Sequence, residues 1–188
     1  LVPHETVAMG MAYGVTMVTG RAQAVMVHVN VGTANALCGL INAARENVPM
    51  LLAAGRTPLY ESGRPGSRTL NIHWAQEMFD QAAMLREVVK WDYELRGGEQ
   101  IETVVDRALA IARSEPQGPV YLSLPRESLA EAGPASCSSA PLQNPPDSPL
   151  PDPEAIERAA SILARARNPL VITARAGREP EALPLLEA

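Results

Sequence analysis

Three strand-length apolar runs, Gln23 to Val29, Pro49 to Ala54 and Pro119 to Leu124, recur along the sequence with helix-period stretches between them. Apolar runs of that length with little polar alternation belong to strands covered on both faces. Strands joined through helices run parallel, and the right-handed crossover lays helices on each side of the sheet. The expected fold class is therefore α/β, a parallel sheet flanked by helices on both faces. Glu5 to Met17 carries apolar residues at helical spacing, with Gly20 as its stop. Gly32 to Arg45 is rich in small residues and predicted helical. A loop with Gly and Arg, Arg56 to Arg68, precedes helical turns to Leu85, then a short strand over Glu87 to Trp91. Glu99 to Arg113 is an amphipathic helix.

From Gly133 to Pro151 the composition changes to Pro, Ser, Ala and Asn, and six of the seventeen prolines fall there. Such a stretch packs no core and is expected to be a linker. It separates a first domain over residues 1–132 from a second α/β domain that starts at residue 152 and runs to 188. The second domain opens with Asp152 as helix N-cap, Pro153 at the first helical position and Glu154 in the first turn. Its helix is predicted to run to Arg167, with a strand over Pro169 to Ala174 and a further helical segment after it. The chain opens on Leu1 rather than methionine, with Glu5 already inside a helical pattern, so it is expected to lack its beginning.

Composition narrows the function classes. A net charge of −5 gives no electrostatic footprint for nucleic acid or an anionic membrane. The longest apolar runs fall far short of a bilayer span, and no basic-then-apolar leader opens the chain. Cys38 and Cys137 match no metal or redox spacing. A reduced, cytoplasmic protein is the expectation.

Three segments carry candidate chemistry. Pro3-His4-Glu5 leads into an otherwise small and apolar helix; an acid there has an ordinary explanation, because acids favour helix N-termini. His28-Val29-Asn30-Val31-Gly32-Thr33-Ala34-Asn35 is a strand end turning through glycine into a helix. Ligands of α/β sheets gather at such ends, although Asn and Thr could equally serve as plain caps there. The segment is no Walker motif and lacks GxGxxG spacing, so a nucleotide site is not supported. Ile72-His73-Trp74-Ala75-Gln76-Glu77-Met78-Phe79 mixes aromatic and polar residues after a Gly/Arg loop, as an active-site wall, an interface or an exposed helix start would.

In this order the segments resemble the pyrimidine-binding domain of the thiamine-diphosphate enzymes grouped around acetolactate synthase, pyruvate oxidase and benzoylformate decarboxylase. The resemblance covers Leu1 to Arg126, including Asn42 to Pro49 ahead of an apolar strand and Gly118-Pro119-Val120 before Leu124-Pro125. It continues into the central domain of those enzymes from Asp152. Each segment is weak alone; their order and spacing carry the likeness.

The resemblance implies a thiamine diphosphate cofactor and a 2-keto acid substrate. The family glutamate matching Glu5 hydrogen-bonds N1′ of the aminopyrimidine and favours the imino form that removes the thiazolium C2 proton. The ylide so formed attacks the keto acid, and the cofactor acts as electron sink. A carboxyl group among apolar neighbours is expected to have a raised pKa for this work. Val31 and Asn35 would lie beside the pyrimidine. Asn30-Val31-Gly32 departs from the common Gly-Pro-Gly and is closer to the benzoylformate decarboxylase version, in which a histidine at the position of His28 moves substrate protons. Gln76 would face the substrate, with Ala75 replacing the aromatic residue of the synthases. That mixture leaves decarboxylation and carboligation open.

The family's Mg²⁺ ligands, a Gly-Asp-Gly followed by Asn, are absent from this sequence and belong to another domain. The residues do not indicate whether FAD is bound as well. The family builds its sites between subunits, so a homo-dimer or homo-tetramer is expected, and this polypeptide alone is expected to be inactive. The family's first strand and helix lie before the position of Leu1, which would leave a sheet edge unpaired. A non-catalytic binding or assembly module is the alternative from another class.

Overall fold

The computed structural model describes residues 1–133, 136, 143–147, 149–174, 176–178 and 181–187. Contacts divide the chain into two compact units, Leu1–Asp147 and Ser148–Ala188. Cys137 and much of the proline-rich stretch lie outside the described residues.

In the first unit, helix α1 (Glu5–Thr19) is capped by His4, whose Nδ1 accepts the Thr6 N–H, and stops at Gly20. Glycine suits that stop: φ is 68°, and its N–H reaches back to the Thr16 carbonyl. Then follow β1 (Gln23–Val27), α2 (Val29–Arg45), β2 (Met50–Arg56), a short α3 (Ile72–Ala75) and β3 (Asp92–Glu94). The unit continues with α4 (Ile101–Arg113), β4 (Val120–Pro125) and α5 (Arg126–Ala130). The four strands form one parallel sheet in the order β1-β2-β4-β3, with Val25 beside Leu52, Leu52 beside Tyr121 and Tyr93 beside Leu122.

The alternation of side chains along β2 shows why its run is apolar throughout. Met50, Leu52 and Ala54 face one core with Met9 and Ala12 of α1 and Ala36, Leu40 and Ala43 of α2. Leu51 and Ala53 face a second core with Val104, Ala108 and Ala112 of α4. Helices on both faces are thus confirmed. Full burial of a residue such as Leu40 or Leu52 contributes roughly 1.5–3 kcal/mol. At the edge strand β1 the cover is one-sided: Val25 and Val27 are buried, while Met26 is 70% exposed.

Two local devices fix the helices. The closest approach of α1 and α2 is at Gly39, where a Cβ would lie 2.5 Å from the Met9 Cβ. On the other face Lys90 donates from Nζ to the carbonyls of Ile111 (2.7 Å) and Ser114 (2.6 Å) and to Ser114 Oγ (2.7 Å), satisfying the open end of α4.

Several predicted boundaries move. The strand expected over Gln23 to Val29 ends at Val27, and α2 begins at Val29 instead of Gly32. The short strand falls at Asp92–Glu94, not Glu87 to Trp91, because Val88 is still folded in a turn onto Leu85 and the ladder with β4 starts only near Lys90. The helix expected over Glu99 to Arg113 opens as a 3-10 turn, Gly98–Gln100, before α4.

In the second unit α6 (Pro153–Arg165) starts as expected, with Asp152 Oδ1 accepting the Glu154 N–H, but ends two residues before Arg167. A 3-10 turn (Ala176–Arg178) and α7 (Ala182–Glu187) follow. The strand expected over Pro169 to Ala174 is not formed. Leu170, Val171 and Ile172 are exposed, and an apolar run becomes a strand only beside a ladder to pair with.

Gly39→Ala forces a methyl group against the Met9 side chain at the helix crossing. Overpacking of this kind costs about 1–3 kcal/mol, so the urea midpoint drops with an unchanged slope. An unaltered midpoint would show that α1 yields freely at Met9.

Candidate active site

Glu5 stands in the first turn of α1 and points toward α2. Its Oε2 accepts a hydrogen bond from Asn35 Nδ2 (3.1 Å), and Thr6 Oγ1 donates to the Asn35 carbonyl (3.1 Å), so one residue of α2 secures the start of α1 twice. His4 Nδ1 lies 4.0 Å from Glu5 Oε2. That nitrogen also accepts the Thr6 N–H.

The Glu5 side chain is 27% exposed, and its carboxyl is held below the usual carboxylate range. The causes, in order of size, are its own backbone N–H and the Asn35 amide, with the charges of His4 and His28 adding less; partial burial opposes them. The expected upward shift is therefore not found. Donors at a helix N-terminus and an open cavity outweigh the apolar neighbours.

The cavity beside Glu5 has a volume of about 470 Å³ and runs between α1 and the free edge of β1. Ala8, Met11, Ala12 and Val15 form one wall, and β1 from Gln23 to Val27 forms the other. Glu5, His4 and His28 stand at the end where β1 gives way to α2. Glu5 and His28 are thus brought together on one cavity; Val31, Asn35 and Gln76 are not among its lining residues. Val31 is 60% exposed on the first turn of α2. Gln76 closes α3, where its N–H bonds the Ile72 carbonyl.

The turn from β1 into α2 is shaped unlike a simple cap. His28 occupies the N-cap but makes no side-chain cap bond, Asn30 Oδ1 accepts the Val31 N–H, and Thr33 Oγ1 donates back to the Val29 carbonyl at 2.6 Å. Val29 has φ of 44°, a left-handed conformation that costs a β-branched residue about 1–3 kcal/mol. Gly32 follows, and a Cβ there would lie 3.1 Å from the Val27 Cβ and 3.2 Å from Glu5 Oε1. Glycine thus leaves the carboxylate face clear.

The segment holding Gln76 is secured by residues that sequence reasoning passed over. Arg68, buried, grips Glu77 with two nitrogens at 2.7 and 2.6 Å, and lies 5.5 Å from the Trp74 ring. The buried Glu127 of α5 accepts the N–H groups of Leu59 and Tyr60, fastening the loop after β2. Below α2, Gln81 and Tyr121 are buried and joined through Gln81 Nε2 and the Tyr121 hydroxyl at 2.8 Å. The available signal was Tyr121 itself, since a phenol inside an apolar strand has to find a partner. Among the described residues no group of three or more His, Cys, Asp or Glu could hold a metal ion, and no helix is long and apolar enough to cross a membrane.

Comparison with known proteins gives the family and the fold. Residues 1–84 match the family model of the thiamine pyrophosphate enzyme, N-terminal TPP binding domain. Benzoylformate decarboxylase of Pseudomonas aeruginosa is 26% identical over 169 residues, covering 90% of this chain and 30% of that protein. The catabolic acetolactate synthase of Raoultella terrigena is 27% identical over 180 residues, covering 96% and 30%. Among solved structures, the thiamine diphosphate-dependent 4-hydroxybenzoylformate decarboxylase of Rhodococcus jostii RHA1 has the same fold over 89% of this chain and 30% of its own. The TM-score is 0.73 and the identity 24%. The chain spans about 30% of the length of the curated relatives it matches.

The hydrogen bond from Asn35 gives a signed pH effect. A carboxyl with a lowered folded pKa adds stability above its unfolded value, and that stability is lost as pH falls through the folded value. In Asn35→Ala the Glu5 midpoint moves up toward the ordinary carboxylate value, and its share of the acid-side loss shrinks. Carboxyl-carbon NMR titration reads the shift; an unmoved midpoint would mean that the backbone alone sets it.

Proposed function

The chain belongs to the thiamine pyrophosphate enzyme family by its N-terminal TPP-binding domain, and from that premise we propose that it binds and activates the aminopyrimidine ring in an enzyme acting on a 2-keto acid, by decarboxylation or carboligation. The observation that carries this reading is the Glu5 carboxylate beside the turn from β1 into α2, held by the Asn35 amide, with Gly32 withholding a side chain from its Oε1. When bound, thiamine diphosphate supplies the electron sink that loss of carbon dioxide from a 2-keto acid needs.

In this reading Glu5 shares a proton with the ring nitrogen facing it, and the bound ring itself adds the desolvation that the open groove lacks. Asn35 acts through its bond to Glu5, and Val31, exposed on the first turn of α2, is the residue assigned to the ring's other side. His28, on the same cavity, takes and returns protons on the substrate side, which favours the decarboxylase reaction. Gln76 faces the substrate from α3.

Residues 1–132 form the pyrimidine domain, 133–151 the linker and 152–188 part of the central domain. Mg²⁺ is held by residues outside this sequence and enters none of these steps. The working protein is a cytoplasmic assembly of two or four copies.

In the enzyme carrying this chain, Glu5→Gln is expected to slow proton loss from the cofactor C2, followed by deuterium exchange, by about 10²-fold or more with the circular dichroism unchanged. Near-normal exchange would overturn the assignment. His28→Ala is expected to lower kcat by about 10²-fold with a smaller effect on KM. An unchanged kcat would remove His28 from the mechanism.

A further inference from the structure

Beneath the first turn of α2 runs a chain of buried polar groups that the steps above leave unused. Gln81, 2% exposed, donates from Nε2 to the Gly55 carbonyl (3.0 Å) and to the Tyr121 hydroxyl (2.8 Å). Tyr121, fully buried near the start of β4, stands 3.5 Å from Thr33 Oγ1, also fully buried. The Thr33 proton is committed to the Val29 carbonyl at 2.6 Å, which leaves Thr33 Oγ1 as acceptor and turns the Tyr121 proton toward it. Burial pushes the Tyr121 phenol up, so it stays protonated and able to fill that role. The chain therefore reaches from the carboxyl end of β2, through the start of β4, to the strained residue that opens α2.

What that turn carries gives the arrangement its meaning. Gly32 sits against Glu5 Oε1, and Asn35, one turn further on, donates to Glu5 Oε2. Any shift of the first turn of α2 moves both contacts to the carboxylate together. A left-handed valine persists only where its surroundings over-determine it, and the bond from Thr33 to the Val29 carbonyl is the one that fastens it. A core of this kind could be filled with apolar side chains; three satisfied polar groups instead define one orientation.

We propose that Gln81, Tyr121 and Thr33 are positioning residues that hold the first turn of α2 in register with Glu5, and so fix the carboxylate against the cofactor ring. The inference rests on the reading of Glu5 given above. None of the three touches the ring; they act through Val29, Gly32 and Asn35. The charged and titratable groups facing Glu5 itself are His4 and His28, and neither belongs to the buried chain.

The test uses the full protein carrying this chain and two readouts that need no cofactor: the carboxyl-carbon titration of Glu5 and amide hydrogen exchange along α2. In Tyr121→Phe and in Thr33→Val, the Gly32 amide is expected to exchange about tenfold faster relative to Leu40 and Ala43, the loss of one buried hydrogen bond at that turn. The Glu5 midpoint should rise toward the ordinary carboxylate value as the Asn35 donor moves away. Thr33→Ser, which keeps the hydroxyl, should restore both. If exchange rises equally at Gly32, Leu40 and Ala43 while Glu5 titrates as before, the network is a stabilising element only and the proposal falls. Should Thr33→Val not fold, Tyr121→Phe decides by the same criterion, since it removes a single oxygen. A negative result leaves the cofactor reading standing, because that reading is decided separately by Glu5→Gln.

Discussion

Everything at this site depends on how closely the backbone of α2 can lie against α1. Two glycines set the distance: Gly39 beside Met9 in the body of the helices, and Gly32 beside Glu5 at the end where β1 gives way to α2. A side chain at Gly39 would wedge the helices apart, and one at Gly32 would press on Val27 and on the Glu5 carboxylate. The carboxylate would then lose the Asn35 donor and face a different wall. Packing and chemistry are therefore set by the same interhelical spacing, one end of which is apolar and the other charged.

The parallel sheet explains why this spacing is held so firmly. β2 is covered on both faces, and its neighbours β1 and β4 present Val27 and Tyr121 to the core that contains α1 and α2. The carboxyl ends of β1 and β2 deliver His28 and Gly55 to the same neighbourhood. The loop after β2 is then fastened by Glu127 and Arg126 of α5, the latter donating to the Gly66 and Ser67 carbonyls. Next to it, Arg68 ties down the segment bearing Gln76. Local order in the loop after β2 and the Gln76 segment thus comes from charged side chains satisfied by backbone groups and from one bidentate pair, which fix direction better than apolar contacts do.

The sheet was legible because an apolar run without alternation has few other uses in a chain of this composition, and Gln23 to Val27, Met50 to Ala54 and Val120 to Leu124 all had that form. That Glu5 and His28 come together at one end of β1 followed from the order of segments. The Pro169 to Ala174 run misled, because hydrophobicity alone states nothing about whether a neighbouring strand is present. The lowered carboxyl pKa of Glu5 was also out of reach, since it depends on Asn35, thirty residues away, and on how open the cavity is. Gln81 was hidden for a related reason. A glutamine in a loop sequence reads as exposed, and only the fold reveals that it reaches under β2 to Gly55 and Tyr121.

Lys90 is the one lysine in the sequence, and its ammonium group is spent on the last carbonyls of α4 and on Ser114. Amine-directed chemistry therefore has a single side-chain target, and acylating it severs three hydrogen bonds at once while erasing the charge that suits a helix C-terminus. Surface immobilisation or dye coupling through that amine would loosen α4 from the sheet. A tether placed on the exposed thiol of Cys38 leaves those bonds intact.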